Sequence, residues 1–122
     1  MTKKQEVINA FDPNGLGNIE HIFALPFDEK TADLILIPIP WEVTVSYHAG
    51  TAQGPQHILE ASTQVDLYQK DFTDAWKMGI QMLPVSQDLL TKSNKYRTMA
   101  EEFIGLLESG KEETEKGKNL LK

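Results

Sequence analysis

The run Leu34-Ile35-Leu36-Ile37-Pro38-Ile39-Pro40 limits what this chain can fold into more than any other stretch of its sequence. Two prolines exclude a helix interior, because each removes a backbone donor and clashes with the preceding turn. The residues are apolar without alternation. A strand of that kind is buried on both faces, as in a parallel sheet. Burying Leu34, Ile35, Leu36 and Ile37 is worth roughly 1.5–3 kcal/mol each. Together that is about 6–12 kcal/mol, comparable with the whole net stability of a domain, about 5–15 kcal/mol. Such a strand needs neighbours on every side. The remaining sequence offers at most two good helices and one further short strand around Met78–Leu83, stopped by Pro84. The sheet is therefore expected to be incomplete, with its other strands outside this sequence or supplied by another chain.

The other elements follow from spacing and punctuation. Residues 1–32 read as an irregular segment, with a dense turn signal at Asp12-Pro13-Asn14-Gly15-Leu16-Gly17-Asn18. Trp41 to Gln53 has no steady period and reads as a loop. Gly54-Pro55 opens a short helix, since proline at the first helical position loses nothing by lacking an N–H. Ile58, Leu59, Ser62 and Val65 fall on one face of it. Tyr96, Met99, Phe103, Leu106 and Leu107 recur at spacings of three and four, the pattern of an amphipathic helix against a core. The run Lys111-Glu112-Glu113-Thr114-Glu115-Lys116 reads as a solvated face. Residues 1–122 are expected to form one portion of a single domain.

Charge and composition exclude several classes of function. The formal net charge of −6 over 122 residues gives no electrostatic reason to seek nucleic acid or an anionic membrane. An apolar content of 40% is that of a globular chain. With no cysteine, disulfides and thiolate metal sites are excluded. Met1-Thr2-Lys3-Lys4 does not lead into an apolar run, and Leu34–Trp41 is too short to cross a bilayer. A cytoplasmic location is the expectation.

One constellation is more specific. Pro40-Trp41-Glu42, Thr44, Ser46-Tyr47, Gly50, Gly54-Pro55 and Ala61-Ser62 occur in order within about thirty residues. In that order and spacing they resemble the opening motif of the ureohydrolases, the arginase and agmatinase family. There a first strand ends in a proline-aromatic-acid turn, a Thr/Ser-containing loop follows, and Gly-Pro opens a helix that closes on Ala-Ser. His48 and Leu59 stand where family members often carry arginine, which leaves the substrate branch open. The Ser-Tyr-x-x-Gly loop is most similar to the agmatinase branch.

The resemblance implies the N-terminal part of a three-layer α/β/α fold with a mostly parallel sheet. It also implies a parent enzyme that hydrolyses a guanidino or formimino compound, releasing urea or an amide, with two manganese ions, and that assembles as a homo-oligomer. In folds of this kind ligands bind beyond the C-terminal ends of the strands. The loop residues Trp41, Glu42, Thr44, Ser46, Tyr47, His48 and Gly50 thus become candidates for the substrate entrance, against the plainer reading of a structural turn.

The family's metal-binding motifs, Gly-Gly-Asp-His, Asp-x-His-x-Asp and Asp-x-Asp, are missing from these 122 residues. His21, His48 and His57 have no aspartate one or two positions away, so no metal ligand and no catalytic residue is assigned, and the chain alone is expected to be inactive and to bind no cofactor. The competing reading is a small non-catalytic binding or interaction module that shares its sheet with a partner chain.

Overall fold

The computed structural model describes every residue except Ser46 and Glu112. The chain divides into two compact units, both discontinuous in sequence. The first comprises Met1–Pro38 and Pro55–Val85, the second Ile39–Gly54 and Ser86–Lys122.

The first unit holds the sheet. Strand β1 (Leu34–Leu36) pairs in parallel with β2 (Ile80–Met82), with Leu34 opposite Ile80, Ile35 opposite Gln81 and Leu36 opposite Met82. Parallel strands require a crossover, and helix α2 (Gly54–Ser62) lies within the connecting sequence. Both strands are shorter than the apolar runs that predicted them, and β1 ends before Pro38.

The expectation that β1 is buried on both faces is not met. Leu34 is 43% exposed and Ile37 71% exposed, while Ile35 and Leu36 are half-buried. Among the described residues the sheet has two strands, so each strand has one unpaired edge and the apolar faces are incompletely covered.

The core of this unit lies elsewhere. Ile22, Leu25 and Phe27 are buried, and Trp76 packs at a tilt against both Phe27 and Phe11, with centroids 6.4 and 5.2 Å away. The first 32 residues, expected to be irregular, contain helix α1 (Lys3–Ala10) and a 3-10 turn at Ile22–Ala24. The helix lacks an apolar stripe, which hid it from a search for periodicity. It is held instead by polar contacts. Thr2 caps it by accepting from the Gln5 amide, and Lys4 Nζ reaches both the Met78 carbonyl and Asp33 Oδ2 at 2.6 Å. On α2 the expected apolar face is only partly used. Ser62 is buried and its hydroxyl accepts from the Phe23 amide at 2.8 Å, whereas Ile58 stays exposed and Val65, also exposed, lies beyond the end of the helix.

The second unit is built on helix α3 (Gln87–Glu108), longer than the stripe from Tyr96 to Leu107 that predicted it. Ser86 caps its start by accepting from the Leu89 amide. Its end is a glycine stop. Gly110 has φ +67°, its amide donates to the Leu107 carbonyl, and the Lys111 amide donates to that of Leu106 at 2.8 Å. The charged segment then turns into α4 (Glu115–Leu120), which packs back on α3. Met99, Phe103 and Leu106 are half-buried, while Tyr96 and Leu107 remain exposed. Among the described residues no helix is long and apolar enough to cross a membrane.

Candidate functional site

The loop that follows β1 in the chain lies wholly in the second unit, and charged side chains organise it. Glu42 does most of this work. Its carboxylate oxygen Oε2 accepts from the amides of Gly50 at 2.7 Å and Ala52 at 3.1 Å. Gly50 is the N-cap of the 3-10 turn Thr51–Gln53 that leads into α2, and Ala52 lies within that turn. Helical amides at such a start have no partner within the helix, so an acid from eight residues upstream satisfies them. These bonds, first from Ala52 and then from Gly50, hold the Glu42 carboxyl below its ordinary value of 4.5, with Arg97 adding a smaller attraction. A helix start that elsewhere would attract an anionic ligand is thus filled by the protein itself.

Helix α3 braces the other limb of the loop. Ser93, Tyr96 and Arg97 share one face of that helix at spacings of three and four. The Ser93 hydroxyl, fully buried, accepts from the Glu42 amide at 3.0 Å. Trp41 packs at a tilt on Tyr96, with centroids 6.1 Å apart. Arg97 Nη1 donates to the carbonyls of Val43, at 3.4 Å, and Val45. Its Nε donates to Glu101 Oε1 at 2.8 Å, which fixes the guanidinium plane.

The candidate residues therefore divide by position. Trp41 and Glu42 face the brace. Thr44 is exposed in the turn. Ser46 lies outside the described residues. Tyr47 and His48 stand out from the loop, Tyr47 being 81% exposed, and their rings meet edge to face with centroids 4.2 Å apart. His48 has φ +50°, a left-handed conformation that a non-glycine residue adopts at a cost. Gly50, at φ +134°, takes a conformation open to glycine almost alone.

Reading the sequence singled out neither Ser93 nor Arg97. Both lie about fifty residues from the loop, and no local pattern connects them to it. The signal that existed was the polar face of α3 beside Tyr96.

A sequence model of the arginase family matches residues 32–111, well over half of the chain. This chain belongs to the arginase family. Among curated proteins it is similar to an N(1)-aminopropylagmatine ureohydrolase from Synechocystis sp., with 42% identity over 40 residues. That stretch is 33% of this chain and 13% of the relative, so the chain matches a small part of the relative's length. No solved structure matches the chain significantly. The parallel sheet and its helices are a part of the α/β fold of this ureohydrolase family.

Among the described residues, no three of His, Asp and Glu gather to hold an ion. His21 Nδ1 pairs with the Leu25 carbonyl at 3.0 Å, a local structural bond. A cleft of about 450 Å³ in the first unit is lined by residues such as Asn14, Leu16, Phe23 and Val65, with Asp66 its one ionisable side chain.

Proposed function

We propose that this chain contributes the first strand, the substrate-entrance loop and the following helix of a manganese-dependent ureohydrolase. The substrate class is a linear guanidino compound of the agmatine type, hydrolysed to release urea. A guanidinium is resonance-stabilised and a poor electrophile, so the reaction needs an activated water. The residues described do not fit a two-metal centre, and that water would be activated by ligands outside them. The role left to this chain is recognition. Family membership and the name of the Synechocystis relative, which carries an agmatine derivative, support the substrate class.

The observation that carries the reading is the pose of the loop. Tyr47 and His48 are presented outward, His48 on a strained backbone, while the loop's polar groups at Glu42, Val43 and Val45 are engaged by the brace. Strain of this kind persists where surrounding structure over-determines it, and it gathers at ligand-handling sites. The exposed Leu34 and Ile37 support a second part of the proposal, that further strands of the same fold extend the sheet.

The test is steady-state kinetics of His48→Ala in the catalytically complete enzyme with agmatine. A hydrogen bond to a charged ligand is worth about 1.5–3 kcal/mol. Its loss raises KM roughly ten- to a hundredfold at unchanged kcat, given tenfold per 1.4 kcal/mol. Loss of bound manganese, or a collapse of kcat at unchanged KM, would place the loop in the catalytic shell. No effect on either constant would make it a structural turn.

A further inference from the structure

The cleft lined by Asn14, Thr63, Gln64 and Asp66 is polar but has a single ionisable side chain and nothing that names a ligand. The open face of β1 shows nothing of what covers it. The brace around the loop is different, because it joins two charged side chains, a buried hydroxyl and five backbone groups in one network.

We propose that Glu42 and Arg97 are the positioning residues of this ureohydrolase's entrance, setting where Tyr47 and His48 are presented to substrate. The inference rests on the entrance reading of the loop and adds residues that touch no substrate themselves. Glu42 ties the returning limb by the amides of Gly50 and Ala52. Arg97 ties the outgoing limb by the carbonyls of Val43 and Val45. Tyr47, His48 and Ala49 lie between these two ties. In each tie one atom of a charged group serves two backbone groups, Glu42 Oε2 the two amides and Arg97 Nη1 the two carbonyls, so all four bonds are charge-assisted. Ser93 joins them, since it accepts from the amide of the same Glu42 whose carboxylate closes the loop.

The division of labour follows from donor and acceptor inventory. The planar guanidinium holds the two carbonyls through Nη1 while its Nε is fixed on Glu101, and a single ammonium nitrogen cannot make both sets of bonds from one orientation. A carboxylate accepts two amides, and the side-chain carbonyl of glutamine retains that acceptor geometry without the charge. Conservative replacements therefore separate the two roles. Glu42→Gln keeps the loop pose and Arg97→Lys loses it.

The experiment uses the isotopically labelled 122-residue chain. Amide exchange of Gly50 and Ala52 and the ring-current shift of His48 beside Tyr47 are followed by NMR. Glu42→Ala is expected to speed exchange at both amides about tenfold and to collapse the His48 shift. Glu42→Gln is expected to restore most of both signals, and Arg97→Lys to restore neither relative to Arg97→Gln. Unchanged exchange and an unchanged His48 shift in Glu42→Ala overturn the proposal. So does a wild-type His48 shift in Arg97→Lys, which also decides the matter if Glu42→Ala fails to fold. If the brace behaves as expected while His48→Ala leaves KM untouched, the entrance reading fails and the loop brace stands as architecture alone.

Discussion

Replacing Gly79 by alanine tests how the first unit is locked together. Gly79 precedes β2 with φ +76°, and its carbonyl accepts from the amides of Asp33 at 3.0 Å and Leu34 at 3.2 Å, where β1 begins. It is the joint between the strands. A Cβ added there would lie 3.0 Å from two ring carbons of Phe27 and 3.1 Å from the Ala32 Cα. Phe27 is wholly buried, and the Ala32 atom is backbone, so neither gives way freely. The backbone conformation alone costs a non-glycine residue about 1–3 kcal/mol. Overpacking a filled site adds about 1–3 kcal/mol. The sum, about 2–6 kcal/mol, is a large share of the roughly 5–15 kcal/mol that holds a domain folded. Gly110→Ala is the control. It too has positive φ, at +67°, but a Cβ there meets nothing within 4 Å, so only the backbone cost of about 1–2 kcal/mol applies. The assay is equilibrium urea unfolding, extrapolated linearly, with each variant read by the tryptophan of its own unit: Gly79→Ala by Trp76 in a Trp41→Phe background, and Gly110→Ala by Trp41 in a Trp76→Phe background. Equal costs for the two variants, or a Gly79→Ala cost below about 1 kcal/mol, would refute the close packing of Phe27 on this joint.

Two further outcomes follow from the site. The 122-residue chain incubated with saturating manganese and either arginine or agmatine is expected to release no urea above a metal-only blank, and turnover would show that a metal centre forms from residues that do not converge in this structure. The Glu42 carboxyl is held below its ordinary value of 4.5 by the Ala52 and Gly50 amides, so the charge-assisted part of its hold on them is present above that value and is lost as pH falls through the lower, folded one. The Gly50 and Ala52 amide shifts should therefore titrate together with a midpoint below 4.5, and a midpoint at or above it would mean that the carboxylate does not bind them.

The sequence revealed what is written in runs and punctuation. The β1 strand, the Gly-Pro start of α2 and the stripe of α3 were legible, because each depends on apolar spacing or on proline chemistry. Helix α1 was not, since Thr2 and Lys4 hold it through a cap and a long-range tether, and neither leaves a periodic trace. The burial of β1 was overestimated for a physical reason. An apolar run reports what a strand needs around it, and this sheet has two strands among the described residues. At the site, Glu42 was visible as a polar loop residue, but its engagement with Gly50 and Ala52 was not. Arg97 carried no sign of its loop partners, because a contact across more than fifty residues is a property of the fold.

The loop and the sheet have different sources of order. Exposed Leu34 and Ile37 show that β1 has not realised the free energy its sequence makes available, and only further apolar cover can supply it. The loop has no such debt. Its ties run from Glu42 to Gly50 and Ala52, from Ser93 to Glu42, and from Arg97 to Val43 and Val45, all within the second unit. Hydrogen bonds are satisfied pair by pair, whereas burial of a sheet face requires a whole neighbouring surface. The pose of Tyr47 and His48 is consequently set without the sheet being complete. Substitutions on α3 at Ser93 or Arg97 reach that pose directly, whereas changes that destabilise the sheet at Gly79 act on folding of the first unit.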